Sequence, residues 1–186
     1  MTSHIIGLDY GSASARGVLI DCASGREVMA HVHDYSHGTL TRALPDGTPL
    51  GRGWALQVAP DYLEAAEAIL RALGRGRRVA GIGIGFTASS PMPTTADGTP
   101  LSDRHPGDPH AYVKLWKHGA AQPQADRINA RGGDWLANFG GKLSAEWLLP
   151  KAAQIADESP ATWARARGGP SAASSSRSRS RRSSPG

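Results

Sequence analysis

The stretch "GLDYGSASAR", Gly7–Arg16, stands between the apolar runs "HII" and "GVLIDC". His4–Leu8 and Gly17–Cys22 are short and rich in Ile, Val and Leu, so both read as strands. The Gly/Ser-rich joint between them is ordinary turn chemistry and needs no ligand. A second reading starts from Asp9, which ends a strand expected to be buried, where an unpaired carboxylate is costly. Gly11, Ser12 and Ser14 follow with N–H and hydroxyl donors, and Arg16 adds a cation. A carboxylate able to hold a metal ion, beside groups able to meet phosphate oxygens, suits a nucleotide tail. No Gly-Lys-Ser/Thr follows and no helix opens after the turn, which excludes a Walker loop and a Rossmann fingerprint. On spacing alone, hairpin and phosphate loop are equally open.

Composition narrows the class. The 186 residues fit one domain with an extension. From Arg165 the chain reads "RARGGPSAASSSRSRSRRSSPG", with six Arg and no acid; without those six the net +5 becomes −1. The basic character belongs to this tail, 165–186, and gives no reason for the domain to bind nucleic acid. The tail has no large apolar residue and is expected to be disordered. Its Arg-Ser alternation leaves open a non-catalytic module that recruits RNA or a partner through the tail. The single Cys22 excludes an intrachain disulfide framework. No apolar run reaches spanning length and no signal pattern opens the chain, so a cytoplasmic protein without membrane contact is expected.

Further along, Arg26–Tyr35 alternates as a third strand. His31, His33 and His37 lie close by but lack the acids or cysteines of a metal site, and read as solvated or hydrogen-bonded. "LPDGTPLGRGWALQVAP" reads as a loop, and its "DGTPL" recurs at Asp97–Leu101 as a second turn of the same chemistry. "DYLEAAEAILRALG", from Asp61, places Leu63, Ala66, Ile69, Leu70 and Leu73 on one helical face, with Pro60 in the first turn and Gly74 at the end. Val79–Phe86 is a strand whose glycines suggest close approach of a neighbour. "SPMPTTADGTPL" reads as a strand and turn, followed by helices at Pro123–Ala130 and Ser144–Ala156. Three strands, a helix and a strand make a mixed α/β pattern, the order of the ribonuclease-H-like fold of actin-like ATPases and sugar kinases.

Five segments in order carry a closer likeness: "IGLDYGSASARGVLIDC", "WALQVAPDYLEA", "GIGIGFTASSPMP", "DPHAYVKLWKHGAAQ" and "GGKLSAEWLLPK". Together they resemble the FGGY carbohydrate kinases, and within them the ribulokinase branch, from about Ile5 to Ala164. The resemblance implies the N-terminal FGGY kinase domain of a two-domain enzyme, 1–164. It implies ATP and Mg²⁺ as cofactors and phosphorylation of a ketopentose, L-ribulose first, with other sugars or polyols as the alternative. Asp9, Gly11, Ser12 and Arg16 match positions near the phosphates, with Asp9 reaching the metal. Ala88, Ser89, Trp116, Lys117 and Glu146 match the sugar side. The family's general-base Asp and the C-terminal kinase domain are expected beyond this chain, which alone should turn over little. Two departures stand out: Gly85 where the family usually has Asp, and Gly119 where His is common. The helix carrying Trp147 and Leu148 is expected to leave apolar surface exposed.

Overall fold

Alternation in the first hairpin sets the sheet. In the computed structural model, which describes residues 2–167, β1 (Ser3–Tyr10) pairs antiparallel with β2 (Ser14–Asp21), and β2 with β3 (Glu27–Asp34). Helix α1 (Ala59–Gly74) crosses back, and β5 (Arg78–Phe86) runs parallel to β1, giving the order β3-β2-β1-β5. A second, two-stranded sheet pairs β4 (Leu56–Gln57) with β6 (Val113–Lys114). Helices α2 (Gln122–Arg131), α3 (Leu148–Glu158) and α4 (Pro160–Ala166) follow.

Ile6, Leu8 and Tyr10 of β1, with Ala15 and Leu19 of β2, point to one face and pack against Ala65, Ile69 and Leu73 of α1. Burying each large aliphatic side chain contributes about 1.5–3 kcal/mol. The close approach lies at Gly17, where a Cβ would stand 2.2 Å from Ile69 Cγ2 and 2.8 Å from Leu73 Cδ1. Only glycine lets α1 settle on β2 there.

Several expectations change. Leu63 is not on the buried face of α1: it is 73% exposed, and Asp61 is buried instead. Asp61 accepts from the His37 N–H at 3.1 Å and pairs with its ring Nδ1 at 2.7 Å, so a carboxylate takes a place that periodicity reserved for apolar residues. A Cβ on Gly81 or Gly83 would meet nothing within 4 Å. α1 lies over β1, β2 and β3, with Val79 at the start of β5 packed against the same core, while Ile82, Ile84 and Phe86 further along stand exposed at the sheet edge. Within "SPMPTTADGTPL" only the bridge Thr94↔Pro100 forms, not a strand. α3 starts at Leu148 rather than Ser144, and Trp147 and Leu148 are indeed exposed.

The paired "DGTPL" turns have the same geometry. In each the Asp carboxylate accepts from the Thr N–H two residues on, at 2.9 Å in the first copy and 3.2 Å in the second. Gly47 and Gly98 take φ of +89° and +85°, values that favour glycine. His33 lies 3.6 Å from Glu64, and no metal-binding group of three exists among the described residues. Of the Arg/Ser tail, Arg165 and Ala166 belong to α4, and 168–186 lies outside the described residues. Among these, no helix is long and apolar enough to cross a membrane.

Candidate functional site

Because β1 and β5 run parallel, their carboxyl ends emerge at one edge of the sheet, the usual ligand edge of an open α/β sheet. The β1–β2 turn and the 87–90 loop therefore lie at the same edge. β6 delivers Trp116 there as well, and the Trp116 indole Nε1 donates to Ser12 Oγ at 2.9 Å.

The turn is held from inside. Tyr35 Oη donates to the Gly11 carbonyl at 3.3 Å. Gln57 Nε2 donates to the Gly11 and Ser12 carbonyls at 3.1 and 2.9 Å. Thr39 Oγ1 reaches the Ser12 carbonyl at 2.9 Å, and the Tyr35 N–H takes the Ala13 carbonyl at 2.9 Å. Gln57 is oriented by Tyr62, whose hydroxyl donates to its Oε1 at 2.6 Å. Tyr62 packs edge-on against Tyr10 and Tyr35, and burial, then the neighbouring Asp61 charge, pushes its hydroxyl up to about 12. The Gly11 N–H closes the turn on the Ser14 carbonyl at 2.9 Å, and among the described residues the Ser12 and Ala13 N–H groups have no protein partner, which leaves them for an outside anion. Gln57 escaped the sequence reading; a lone amide inside "WALQV" was the available signal.

Asp9 and Arg16 are direct cross-strand partners on the sheet face away from α1. The burial expected for Asp9 is not found: both side chains are exposed, because alternation sends Leu8 and Tyr10 to the core and Asp9 outward. On its other side Asp9 is in register with Gly85, and a Cβ there would lie 3.1 Å from Asp9 Oδ1. A carboxylate at 85, which the resemblance implies, would therefore border Asp9. An accessible carboxylate beside an anion-receptive turn is a donor set suited to Mg²⁺ and phosphate together.

On the other flank, Ala88 is exposed and Ser89 half-buried at φ +53°. Trp116 is 43% exposed, so its ring has a free face. Lys117 and Glu146 are exposed; burial pushes Lys151 down to about 8, and the Glu146 charge works against that fall. The 140–147 segment carrying Glu146 is anchored by Asn129, whose amide bonds both the N–H and the carbonyl of Leu143 at 2.8 Å. The turn, the Ser89 loop and Trp116 are thus brought to one edge, while no contact ties Lys117 or Glu146 to it directly.

Beneath this edge lies a buried polar layer. His118 Nδ1 accepts from the Ala55 N–H at 3.2 Å, so its Nε2 carries the proton toward Gln154 Oε1 at 2.9 Å. Burial, then Lys114, pushes His118 down to about 3. Lys114 is fully buried with its ammonium 4.2 Å from the Trp54 ring centroid, and burial pushes it down to about 7. A Cβ on Gly119 would meet only the Gly53 carbonyl, at 3.8 Å, so the backbone at the second departure does not require glycine for close approach.

No family model matches the chain. It is 43% identical to the ribulokinase of Mycolicibacterium smegmatis over 175 residues, covering 87% of this chain and 31% of that protein. With the ribulokinase of Bacillus licheniformis the identity is 44% over 159 residues, covering 79% and 29%. The chain thus spans about 30% of the length of the curated relatives it matches. Among solved structures, a gluconate kinase from Lactobacillus acidophilus superposes with a TM-score of 0.63 at 16% identity, covering 89% of this chain and 30% of that one. A Plasmodium falciparum glycerol kinase with ADP gives 0.64 at 13% identity, covering 87% and 30%. The fold is the actin-like ATPase fold of the solved sugar kinases, gluconate and xylulose kinase among them. Within that class, the chain is a homologue of the ribulokinases.

Proposed function

We propose that this chain supplies one wall of a ketopentose kinase cleft, and that the kinase transfers the γ-phosphoryl of ATP to the terminal hydroxyl of L-ribulose. The observation that carries this reading is the 2.9 Å bond from Trp116 to Ser12, which makes the phosphate side and the sugar side adjoin. Asp9 would hold Mg²⁺, which when bound neutralises phosphate charge. Ser12 meets phosphate oxygens through the turn's free N–H groups, Gly11 shapes the turn by donating its own N–H to the Ser14 carbonyl, and Arg16 adds a cation on the same face. Trp116 offers its exposed ring to the sugar's carbon skeleton, with Ala88 and Ser89 closing one side. Lys117 would lie beside the sugar and Glu146 would reach a sugar hydroxyl, as the resemblance implies. These residues bind and position, which is the larger part of phosphoryl-transfer catalysis. By the family resemblance the general base belongs to the remainder of the kinase, so the chain alone should release little ADP.

Calorimetric titration tests this. L-ribulose should bind the chain and lose affinity in Trp116→Ala, while MgATP should lose affinity in Asp9→Ala. Other ketopentoses and polyols in the same titration rank the substrate. Equal binding of L-ribulose to the wild type and Trp116→Ala contradicts the assignment.

A further inference from the structure

Lys151 is fully buried in α3, an unusual place for an ammonium. Its Nζ donates to the carbonyls of Ser89 at 2.7 Å, Leu115 at 2.8 Å and Trp116 at 3.0 Å. An ammonium has three N–H donors, and one carbonyl meets each. The three carbonyls come from two separate segments, the loop after β5 and the end of β6. Ser89 is also the one non-glycine residue with positive φ among those described, a backbone state that an L residue holds only under external constraint. Lys114 is equally buried, yet its Nζ has no hydrogen-bond partner among the described residues, so burial alone does not produce such a cage.

We propose that Lys151 is a positioning residue for sugar binding, clamping the Ser89 loop to the Trp116 strand end so that the two present one surface. This rests on the reading of Ser89 and Trp116 as the sugar side. α3 then sets the shape of a site to which it lends no surface, because the ammonium touches the backbone of the sugar-facing residues and not their side chains. An apolar residue at 151 leaves the Ser89 and Trp116 carbonyls unmatched, while the Leu115 carbonyl keeps the His118 N–H at 2.8 Å; it frees Ser89 from its φ and lets Trp116 drift from Ser12.

The test compares the wild-type chain with Lys151→Met by amide hydrogen exchange and by L-ribulose titration. Peptides spanning 87–91 and 114–118 include the Lys114 N–H, bonded to the Pro91 carbonyl, and the Leu115 N–H, bonded to the Ala55 carbonyl. Exchange there should quicken roughly tenfold, the scale of losing a charged hydrogen bond, with the β1–β2 amides unchanged. L-ribulose affinity should fall by a similar factor. Lys151→Gln, which keeps two donors, should fall between the two, and it serves alone if the Met variant does not fold. Unchanged exchange in both peptides, or a uniform rise across all amides, overturns the positioning role. Failure of the wild type itself to bind L-ribulose refutes the sugar reading instead, and the exchange pattern still decides the clamp.

Discussion

The Trp116 indole N–H donates to the Ser12 hydroxyl at 2.9 Å, joining positions 104 residues apart in the chain. The partners are solvent-accessible, so the bond's value lies in placement more than in stability. Trp116→Phe keeps a ring and removes the donor. Its unfolding free energy should fall by about 0.5–1.5 kcal/mol, read from the urea midpoint. A larger loss would mean that the indole carries packing, not just this link.

Gly17 and Gly83 make opposite predictions. A methyl at 17 collides with Ile69 and Leu73 at 2.2 and 2.8 Å, whereas one at 83 meets nothing. Gly17→Ala should destabilise by about 1–3 kcal/mol through overpacking. Gly83→Ala should be neutral or stabilising by up to about 1 kcal/mol, since glycine weakens a strand. Urea unfolding of the two variants separates them.

Stability should rise with pH across the acid range. Burial, then Lys114, holds His118 down to about 3 and His110 down to about 4, against 6.5 when unfolded. Between those values the unfolded chain binds more protons, so stability is lost as pH falls through the window. Asp108 adds the same sign: burial alone would raise it, but bonds from Thr162, the His110 N–H and Ser159 bring it lower. Lys114, brought by burial to about 7 from 10.5, extends the rise from pH 7 toward 10.5. Thermal melts across pH should show both limbs, with His118→Gln flattening the acid one and Lys114→Met the alkaline one.

Gly85→Asp should create a cation-sensitive site. Its Cβ would lie 3.1 Å from Asp9 Oδ1, and two carboxylates so close disfavour joint ionisation unless a cation sits between them. The variant should melt lower than the wild type without Mg²⁺ and gain more on its addition. Equal Mg²⁺ responses would place the side chain at 85 away from Asp9.

The sheet and α1 were legible because alternation and the 3.6-residue period report burial directly, as Ile6, Leu8, Ile69 and Leu73 do. Leu63 misled because the buried stripe of α1 runs through Asp61, Ala65, Ile69 and Leu73 and position 63 falls off it, and Asp61 found an internal partner, His37, that no local pattern announces. Asp9 was read as the buried end of a strand over His4–Leu8, but β1 runs on to Tyr10, and the outward face of Asp9 follows from which side α1 packs on. The two-residue β4 and β6 are too short for any period. Lys114 and Lys151 were hardest to read: a lysine signals surface, and only the carbonyl cage or the Trp54 ring explains a buried one. The turn was singled out from its own residues and Trp116 through the combined resemblance of five segments, while Gln57, which holds the turn, gave no such signal.

The account rests on the β1–β2 turn, the Ser89 loop and Trp116 forming one ligand-binding edge. Backbone amide shifts in a two-dimensional NMR titration with L-ribulose test it most directly. The account predicts saturable shifts at Ser12, Ser89 and Trp116 with one common dissociation constant, while β3 amides stay still. Saturable shifts confined elsewhere, or none at these three residues, would contradict it.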